Sequence, residues 1–300
     1  MSVHGAHDDA ADLTVPERHD RKGRPARMDI YIGFDSAWTD NPKARGAICA
    51  VGIENGQAIL FHAPRLASFR EAAVFIRSVR SRNGATLIAI DQSTIVPNRS
   101  GMRPVERVAA SLLGWLGGGV QPSHRGRTGM FCDSAPIWRF LSDLQAEEQP
   151  DVARIAADGL HIIEVFPALA LASMDPAFFG RLCAPRYNPA RRQTFRLEDW
   201  IRVSDVAARQ AVDLGCIALA EWCAAAARTA RPGKADQDRL DAALCVLIAL
   251  QWRLQPRKSL LLLGDLTAGY MVLPATPAVR DRLAGPARMH DVLMDGQPAG

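Results

Sequence analysis

Five acidic residues stand where apolar segments of the chain end or begin, and together they are suited to holding a metal ion. Asp35 closes the segment DIYIGFD, Asp91 closes TLIAID, and Glu164 lies near the end of LHIIEV. Asp238 and Asp241 open a later helical pattern, and their i, i+3 spacing places both carboxylates on one helix face. Converging carboxylates repel one another, so protons or hard divalent cations must neutralise them. The set therefore predicts a two-metal site, in which two such cations about 4 Å apart would activate a water molecule and stabilise the leaving oxygen of a phosphodiester.

Each of these acids, taken alone, also has a purely structural explanation. An aspartate at the end of a strand commonly caps the following turn, which is sufficient for Asp35 or for Asp91. Asp238 lies in the first turn of its helix, where the helix dipole favours negative charge. Asp241 heads an apolar stripe that continues through Leu244, so it is expected to face the core. The chemical interpretation rests on the whole set and on the order of the elements that carry it.

The first half of the chain follows the order strand, strand, strand, helix, strand. The predicted strands cover residues 29–35, 47–53, 58–62 and 86–91, and a fifth follows at 160–165. Asn55-Gly56 between the second and third strands is a strong signal for a tight hairpin. The helix after the third strand begins with the capping pattern Ser68-x-x-Glu71. These signals predict an antiparallel meander followed by a helical crossover.

The crossover determines which acids meet. A right-handed crossover places the fourth strand parallel to an earlier one. If that partner is the first strand, Asp35 and Asp91 reach the carboxyl ends of adjacent central strands. Open α/β sheets bind their ligands at this edge. We therefore expect Asp35 to lie near Asp91.

The remaining patterns divide the chain into a domain with two extensions. Helices are predicted at 103–117, about 204–229 and 236–253, with a Gly-rich irregular segment at 117–132 and a short strand at 269–273. We predict a disordered extension at 1–27, one domain at 28–275 with a basic insertion at about 176–203, and a loose C-terminal tail at 276–300. The acids and the candidate arginines all fall in the central domain.

Four motifs, taken in order, resemble one known family. GFDSAW at 33–38, AIDQS at 89–93, EVFPALAL at 164–171 and DRLDAALC at 238–245 are similar to the family called domain of unknown function 429. That family is described as predicted RNase H-like nucleases, and the resemblance spans about residues 29–275. The D-x-x-D-A form at 238–242 is also similar to the bacterial Holliday-junction resolvases. The resemblance implies an α/β, ribonuclease H-like fold, in which helices flank a mixed five-stranded sheet.

The same resemblance implies a metal-dependent nuclease that uses Mg²⁺ or Mn²⁺. Carried onto this chain, it makes Asp35, Asp91 and Asp241 the metal ligands, with Asp238 or Glu164 completing the catalytic set. Ribonuclease H itself takes an acid from its first helix. That helix here offers only a capping glutamate, so the choice between Asp238 and Glu164 stays open.

Arginines in two irregular segments are candidates for binding nucleic acid. They are Arg125, Arg127, Arg186, Arg191, Arg192 and Arg196. Arginine matches phosphate oxygens with two parallel hydrogen bonds, which suits a clamp beside the acidic site. A solvated arginine surface is the alternative, because only four of the 36 basic residues are lysines and the net charge is only +4. We expect a nucleic-acid partner, with DNA and RNA both open.

Several other classes of protein lack support in the sequence. No apolar run approaches the roughly 20 residues of a membrane span. Six scattered cysteines without a C-x-x-C pair indicate a reducing compartment, so we expect a cytoplasmic protein. Two alternatives remain open: a non-catalytic nucleic-acid-binding module of the same fold, and a relative of sugar kinases and actin-like ATPases. The second needs a Gly/Thr-rich phosphate turn after the first strand, where this chain has SAWTD at 36–40.

Overall fold

The structure is a computed structural model that describes residues 27–36, 38, 39, 41 and 45–299. The extension expected at 1–27 therefore lies outside the described residues, apart from Arg27. The central sheet has five strands: β1 Met28–Asp35, β2 Gly46–Glu54, β3 Gln57–Ala67, β4 Ala85–Ile90 and β5 Gly159–Glu164. Their order is β3-β2-β1-β4-β5, with β1, β2 and β3 antiparallel and with β4 parallel to both β1 and β5. The expected mixed five-stranded sheet is confirmed.

Local signals account for this topology. Asn55 and Gly56 both have positive φ angles, 52° and 77°, as a tight hairpin turn requires. Ser68 caps the helix that leads to β4: its hydroxyl accepts from the Glu71 N–H at 3.2 Å, and its own N–H donates to Glu71 Oε2 at 2.7 Å. The predicted hairpin and capping box are therefore both present.

Helices cover the two faces of the sheet. They are α1 Phe69–Val79, α2 Pro104–Leu116, α3 Pro136–Leu144, α4 Pro150–Ile155, α5 Pro167–Met174, α6 Leu197–Asp213, α7 Ile217–Ala227, α8 Lys234–Leu254 and α9 Pro277–Met289. One face packs on α1 and α3 through a buried cluster that includes Phe34, Phe69 and Phe140. The other face contributes Tyr31, Leu87 and Ala89 to a core shared with α2, α5, α6, α7 and α8. Because both faces are buried, β1 is apolar along almost its whole length.

The long helix α8 crosses β1 in backbone contact at Gly33. A Cβ placed on Gly33 would lie 2.0 Å from the carbonyl oxygen of Ala242 and 2.4 Å from the N of Val246. The Cys49 thiol on the neighbouring strand also donates to the Ala242 carbonyl, at 3.3 Å. Only glycine permits this approach, so Gly33 determines where α8 rests on the sheet.

Residues 276–299, for which the sequence pattern predicts a loose C-terminal tail, contain α9 and two short strands. A second sheet contains β6 Leu260–Asp265, β7 Gly269–Pro274, β8 Leu293–Met294 and β9 Gln297–Pro298, in the order β7-β6-β8-β9. Helix α9 buries Val279, Leu283 and Ala287, which share one helix face. This apolar face and the β6–β8 pairing fix the segment to the protein.

Two helix boundaries also differ from those expected. The single helix predicted at about 204–229 is two helices, because the chain breaks at Gly215 with a φ of 73°. The helix on the N-terminal side of this break already begins at Leu197, so residues 197–203 of the expected basic insertion are helical. Within the described ranges, no helix is both long and apolar enough to cross a membrane.

Candidate functional site

Asp35 and Asp91 stand side by side at the carboxyl ends of β1 and β4. The strands pair Gly33 with Ala89 and Phe34 with Ile90, so the same register makes Asp35 and Asp91 neighbours. The Asp91 N–H continues this ladder by donating to the Phe34 carbonyl at 2.9 Å. Successive residues of a strand point to opposite faces, so both aspartates share the face of Gly33, against which α8 packs.

Helix α8 brings Asp241 to the same place. Ala242 lies on Gly33, two residues before Asp35 in β1, and Asp241 is buried. Lys234, Gln237, Asp238 and Asp241 follow i, i+3, i+4, i+7 spacing and therefore form one polar stripe on α8. The pocket above the sheet is lined by Asp35, Asp91 and three members of this stripe, and it has a volume of about 440 Å³.

All three aspartates have raised pKa values, and the charge of Asp241 contributes to the shifts of the other two. Burial raises the pKa of Asp35 well above its usual range, and the charges of Asp241 and Asp91 raise it further. Burial likewise raises the pKa of Asp91 well above normal, again with a contribution from Asp241. Burial raises the pKa of Asp241 to about 6, against hydrogen bonds from Tyr187 and Gln237 that lower it. Lys234 lowers the pKa of all three, so its ammonium acts on the whole cluster.

The helix side of the cluster is hydrogen-bonded, whereas the strand side is open. Tyr187 donates its hydroxyl to Asp241 Oδ1 at 2.8 Å, and the Gln237 amide donates to Asp241 Oδ2. Lys234 donates to Asp238 Oδ1 and to Gln237 Oε1, the latter at 2.8 Å. The side chains of the strand-end pair, in contrast, accept no hydrogen bond from any described residue.

Glu164 lies next to this cluster but is held by an arginine. In the pairing of β4 with β5, Ile90 is opposite Glu164. The residue opposite Asp91 is therefore Val165 and not Glu164. Arg103 donates to both carboxylate oxygens of Glu164, at 2.5 and 2.9 Å. Both side chains are almost wholly buried, and Thr94 adds a backbone N–H bond at 3.0 Å. The structure thus places Glu164 in a buried ion pair, apart from the three converging aspartates.

Several residues of the site carried no recognised sequence signal. Arg103 also binds Glu106 at 2.9 Å, which makes it the centre of a buried charged network. Gln92 accepts a hydrogen bond from Ser36, while its buried amide nitrogen has no partner among the described residues. Lys234 could have been noticed, because a lysine four residues before Asp238 on a helix face is a recognisable pair spacing. The contacts of Arg103 and Gln92 exist only in the folded protein, so no pattern in the sequence indicates that these residues belong to the site.

The carboxylate oxygens of the cluster are the kind of ligand that a hard divalent cation takes, but the three side chains are not placed around one ion position. None of the carboxylates of Asp35, Asp91 and Asp241 forms an ion pair with a described residue. Lys234 pairs with Asp238 instead, and Arg103 pairs with two glutamates. Magnesium and manganese prefer such oxygen ligands. In the part of the chain that the structure describes, no three His, Cys, Asp or Glu side chains are already placed to hold one ion. A cation bound to all three aspartates would therefore require side-chain movement.

The six candidate arginines fall into two structural groups. Arg125 donates to the Val96 carbonyl at 2.8 Å and stacks 4.0 Å above the Trp138 ring, and Arg127 donates to the Pro122 carbonyl at 3.0 Å. These two guanidinium groups are engaged by the protein itself. The other four are exposed and make no ion pair with any described acid: Arg186, Arg191, Arg192 and Arg196.

Residues 179–196, here called the arginine segment, carry this exposed group, and part of the segment lines the pocket. Leu182 and Ala184 donate backbone N–H groups to the carbonyls of Trp115 and Leu116 at the end of α2, at 3.0 and 2.8 Å. The segment then places Tyr187 on Asp241, and Arg186 and Arg191 line the pocket. Two of the six predicted arginines therefore share the pocket with the acids.

Fold and pocket together define an α/β protein with a carboxylate cluster at the ends of parallel strands. The family model described as "Protein of unknown function (DUF429)" matches residues 33–261, well over half of the chain. The chain therefore belongs to this family, as its motifs indicated. No curated protein and no solved structure matches it.

Proposed function

We propose that this protein is a metal-dependent nuclease that hydrolyses phosphodiester bonds of nucleic acid. The observation that carries the proposal is that Asp91 and the buried Asp35 and Asp241 line one pocket and have no ion-pair partner among the described residues. Buried charges of one sign are costly unless a proton or a cation compensates them. A metal-dependent phosphodiesterase needs such a site to bind its divalent cation.

In this proposal Mg²⁺ or Mn²⁺ is held by Asp35 and Asp91, with Asp241 as the third ligand. When bound, the cation supplies Lewis acidity toward the phosphoryl oxygens and lowers the pKa of water. Asp35 and Asp91 stay fixed by the β1–β4 ladder, which gives the reacting groups a rigid base. Glu164 would act on the site only through the buried network, since Arg103 occupies both of its oxygens.

The arginine segment is proposed to hold the nucleic-acid backbone. Arg186 and Arg191 line the pocket beside the acids, and their guanidinium groups are free to contact phosphate oxygens. Positive charge over the pocket also offsets the repulsion between a phosphodiester and the aspartates. The class of nucleic acid is open in this proposal.

An RNase H-like fold and a cytoplasmic location belong to the same proposal. Support for the fold comes from the strand order β3-β2-β1-β4-β5 and from the acids at the ends of β1 and β4, which follow the pattern implied by the family resemblance. Support for the location is the state of the cysteines, since all six are free thiols.

A non-catalytic nucleic-acid-binding module is the second candidate, and one observation favours it. Tyr187 and Gln237 already occupy both oxygens of Asp241, and the described residues hold no ready ligand triad. If this arrangement persists when Mg²⁺ is present, the pocket would bind a backbone without cutting it.

The decisive experiment is a cleavage assay on end-labelled single-stranded and duplex DNA and RNA with Mg²⁺ or Mn²⁺. We expect the wild-type chain to cut at least one of these substrates. Asp91→Asn should abolish turnover while keeping salt-sensitive binding, because it removes a metal ligand and leaves the arginines intact. Glu71→Gln, at the exposed cap of α1, is the matched control and should cut normally. Cleavage that survives in Asp91→Asn or in excess EDTA would contradict the proposal.

A further inference from the structure

The helix side and the strand side of the carboxylate cluster differ in their bonding partners, and this difference bears on how many cations the site takes. The members of the polar stripe on α8 are Lys234, Gln237, Asp238 and Asp241, and each already has a partner. Asp35 and Asp91, on the strand side of the same pocket, accept no hydrogen bond from the described residues. The protein thus supplies hydrogen-bond partners, an ammonium among them, to the helix side of the cluster, and the described residues supply none to the strand side.

Lys234 is well placed to meet a ligand. Its side chain lines the pocket and is 55% exposed, so the ammonium is open to incoming groups. Its bonds to Asp238 and Gln237 orient the side chain along the stripe, and the Gln237 amide continues the chain of hydrogen bonds to Asp241. An ammonium with three donor hydrogens can keep these two bonds and offer the third to a phosphoryl oxygen.

Building on the proposed function, we infer that the site takes one divalent cation on the strand side and that Lys234 is the second positive group of the catalytic site. The single cation needs one oxygen of Asp241, so one of the bonds from Tyr187 and Gln237 must give way. A second cation on the helix side would have to displace both of these bonds and also Lys234 from Asp238. Lys234 instead makes a direct contact with a non-bridging oxygen of the phosphodiester. It is therefore a catalytic residue in addition to the three aspartates.

The hydrolysis shows what this contact does. The water oxygen forms a bond to phosphorus, and the bond between phosphorus and the leaving oxygen breaks with its electron pair on that oxygen. Water contributes hydroxide to phosphorus and releases one proton to solvent, while the leaving oxygen takes one proton from solvent. Negative charge on the non-bridging oxygens increases on the way to the transition state, so a fixed ammonium lowers the barrier more than it tightens ground-state binding.

The test is a Mn²⁺ titration of the full-length chain, read as bound ions per chain and dissociation constant, beside the cleavage assay. We expect one Mn²⁺ per wild-type chain. Lys234→Gln should bind Mn²⁺ about tenfold more tightly, because a neighbouring positive charge is gone. Its kcat should fall by about 10²-fold with a smaller change in KM. Lys234→Arg, which keeps the charge, should recover part of kcat.

Controls separate this inference from the proposed function. Lys258→Gln makes the same charge change on an exposed lysine outside the pocket, and it should match wild type in both measurements. A melting temperature of Lys234→Gln close to that of wild type establishes that the variant is folded. Two Mn²⁺ per wild-type chain, or a Lys234→Gln variant with unchanged Mn²⁺ affinity and unchanged kcat, would overturn the lysine inference and leave the nuclease proposal standing. A wild-type chain that binds no Mn²⁺ and cuts nothing would overturn both.

Discussion

Gly33 and Ala242 are in contact through their backbones, and this contact sets the distance between the strand acids and the helix acids. A Cβ at position 33 would lie 2.0 Å from the Ala242 carbonyl oxygen. Asp35 follows Gly33 by two residues on the same face of β1, and Asp241 immediately precedes Ala242. The spacing of the acids therefore depends on Gly33, because the absence of a side chain there lets α8 approach β1.

Gly33→Ala should destabilise the protein and weaken the site together. The added methyl group clashes with the backbone of α8. Backbone atoms cannot rotate away as a flexible side chain can, so α8 must shift. We expect a loss of about 3 kcal/mol in the free energy of unfolding, measured by urea titration, and weaker Mn²⁺ binding. Gly114→Ala is the control, because nothing lies within 4 Å of its Cβ position. It should gain about 0.5–1 kcal/mol as an interior helix residue and leave Mn²⁺ affinity unchanged.

Stability of the metal-free protein should fall as the pH rises through the range in which Asp241 ionises. Burial raises its pKa from 3.8 to about 6 in the folded protein, so the folded state holds the proton more tightly than the unfolded chain does. The associated stabilisation, about 3 kcal/mol, is complete below about pH 4 and is lost as the pH rises from there through about 6. Melting temperatures in EDTA at about pH 4 and about pH 7.5 measure it.

Asp241→Asn provides the comparison for that pH dependence. The asparagine does not ionise, so the fall in melting temperature between the two pH values should be smaller than in wild type. Saturating Mn²⁺ at pH 7.5 should raise the melting temperature of wild type, because it binds the ionised folded state. Equal pH profiles for the two proteins would count against buried ionisation at this position.

Glu164→Gln should separate structural support from metal binding. The substitution leaves the Arg103 guanidinium without one of its two buried partners, and breaking such a pair costs about 3–5 kcal/mol. Mn²⁺ affinity of the folded variant should stay within about threefold of wild type, since the glutamate lies outside the three converging aspartates. A variant of normal stability that fails to bind Mn²⁺ would instead make Glu164 a ligand.

The two groups of arginines should respond differently to substitution. Replacing Arg186 and Arg191 by alanine should weaken nucleic-acid binding and lower the slope of log affinity against log salt by about one for each phosphate that the protein no longer neutralises. Arg125→Ala should leave that slope unchanged and lower the melting temperature, because it removes a carbonyl hydrogen bond and the stacking on Trp138. Fluorescence anisotropy at several salt concentrations, with a labelled oligonucleotide, distinguishes these outcomes.

Local signals were sufficient to predict the central sheet. Asn55-Gly56 and the Ser68 cap act within a few residues, and the crossover rule then leaves little choice for β4. Short helices such as α4 and α5, of six and eight residues, give too little periodicity to be recognised. The sequence pattern did not indicate that the helix breaks at Gly215, because apolar and small residues continue on both sides of it.

The acidic residues of the site could be predicted from the sequence, but the residues that form hydrogen bonds and ion pairs with them could not. Asp35 and Asp91 mark strand ends, a local feature, and the topology brings them together. The contacts of Asp241 with Tyr187 and of Glu164 with Arg103 join residues 54 and 61 positions apart in the chain. Nothing in the local sequence encodes such pairings, because they depend on how the arginine segment and α2 pack over the finished sheet.

Anomalous diffraction from a crystal soaked in Mn²⁺ tests the central claim most directly, since it locates the ion without depending on activity. We predict one peak bridging the carboxylates of Asp35 and Asp91, at ligand distances of about 2.0–2.3 Å. The peak should be missing in Asp91→Asn crystals soaked in the same way. A wild-type crystal at saturating Mn²⁺ with no peak between these two side chains would contradict the metal site and the function built on it.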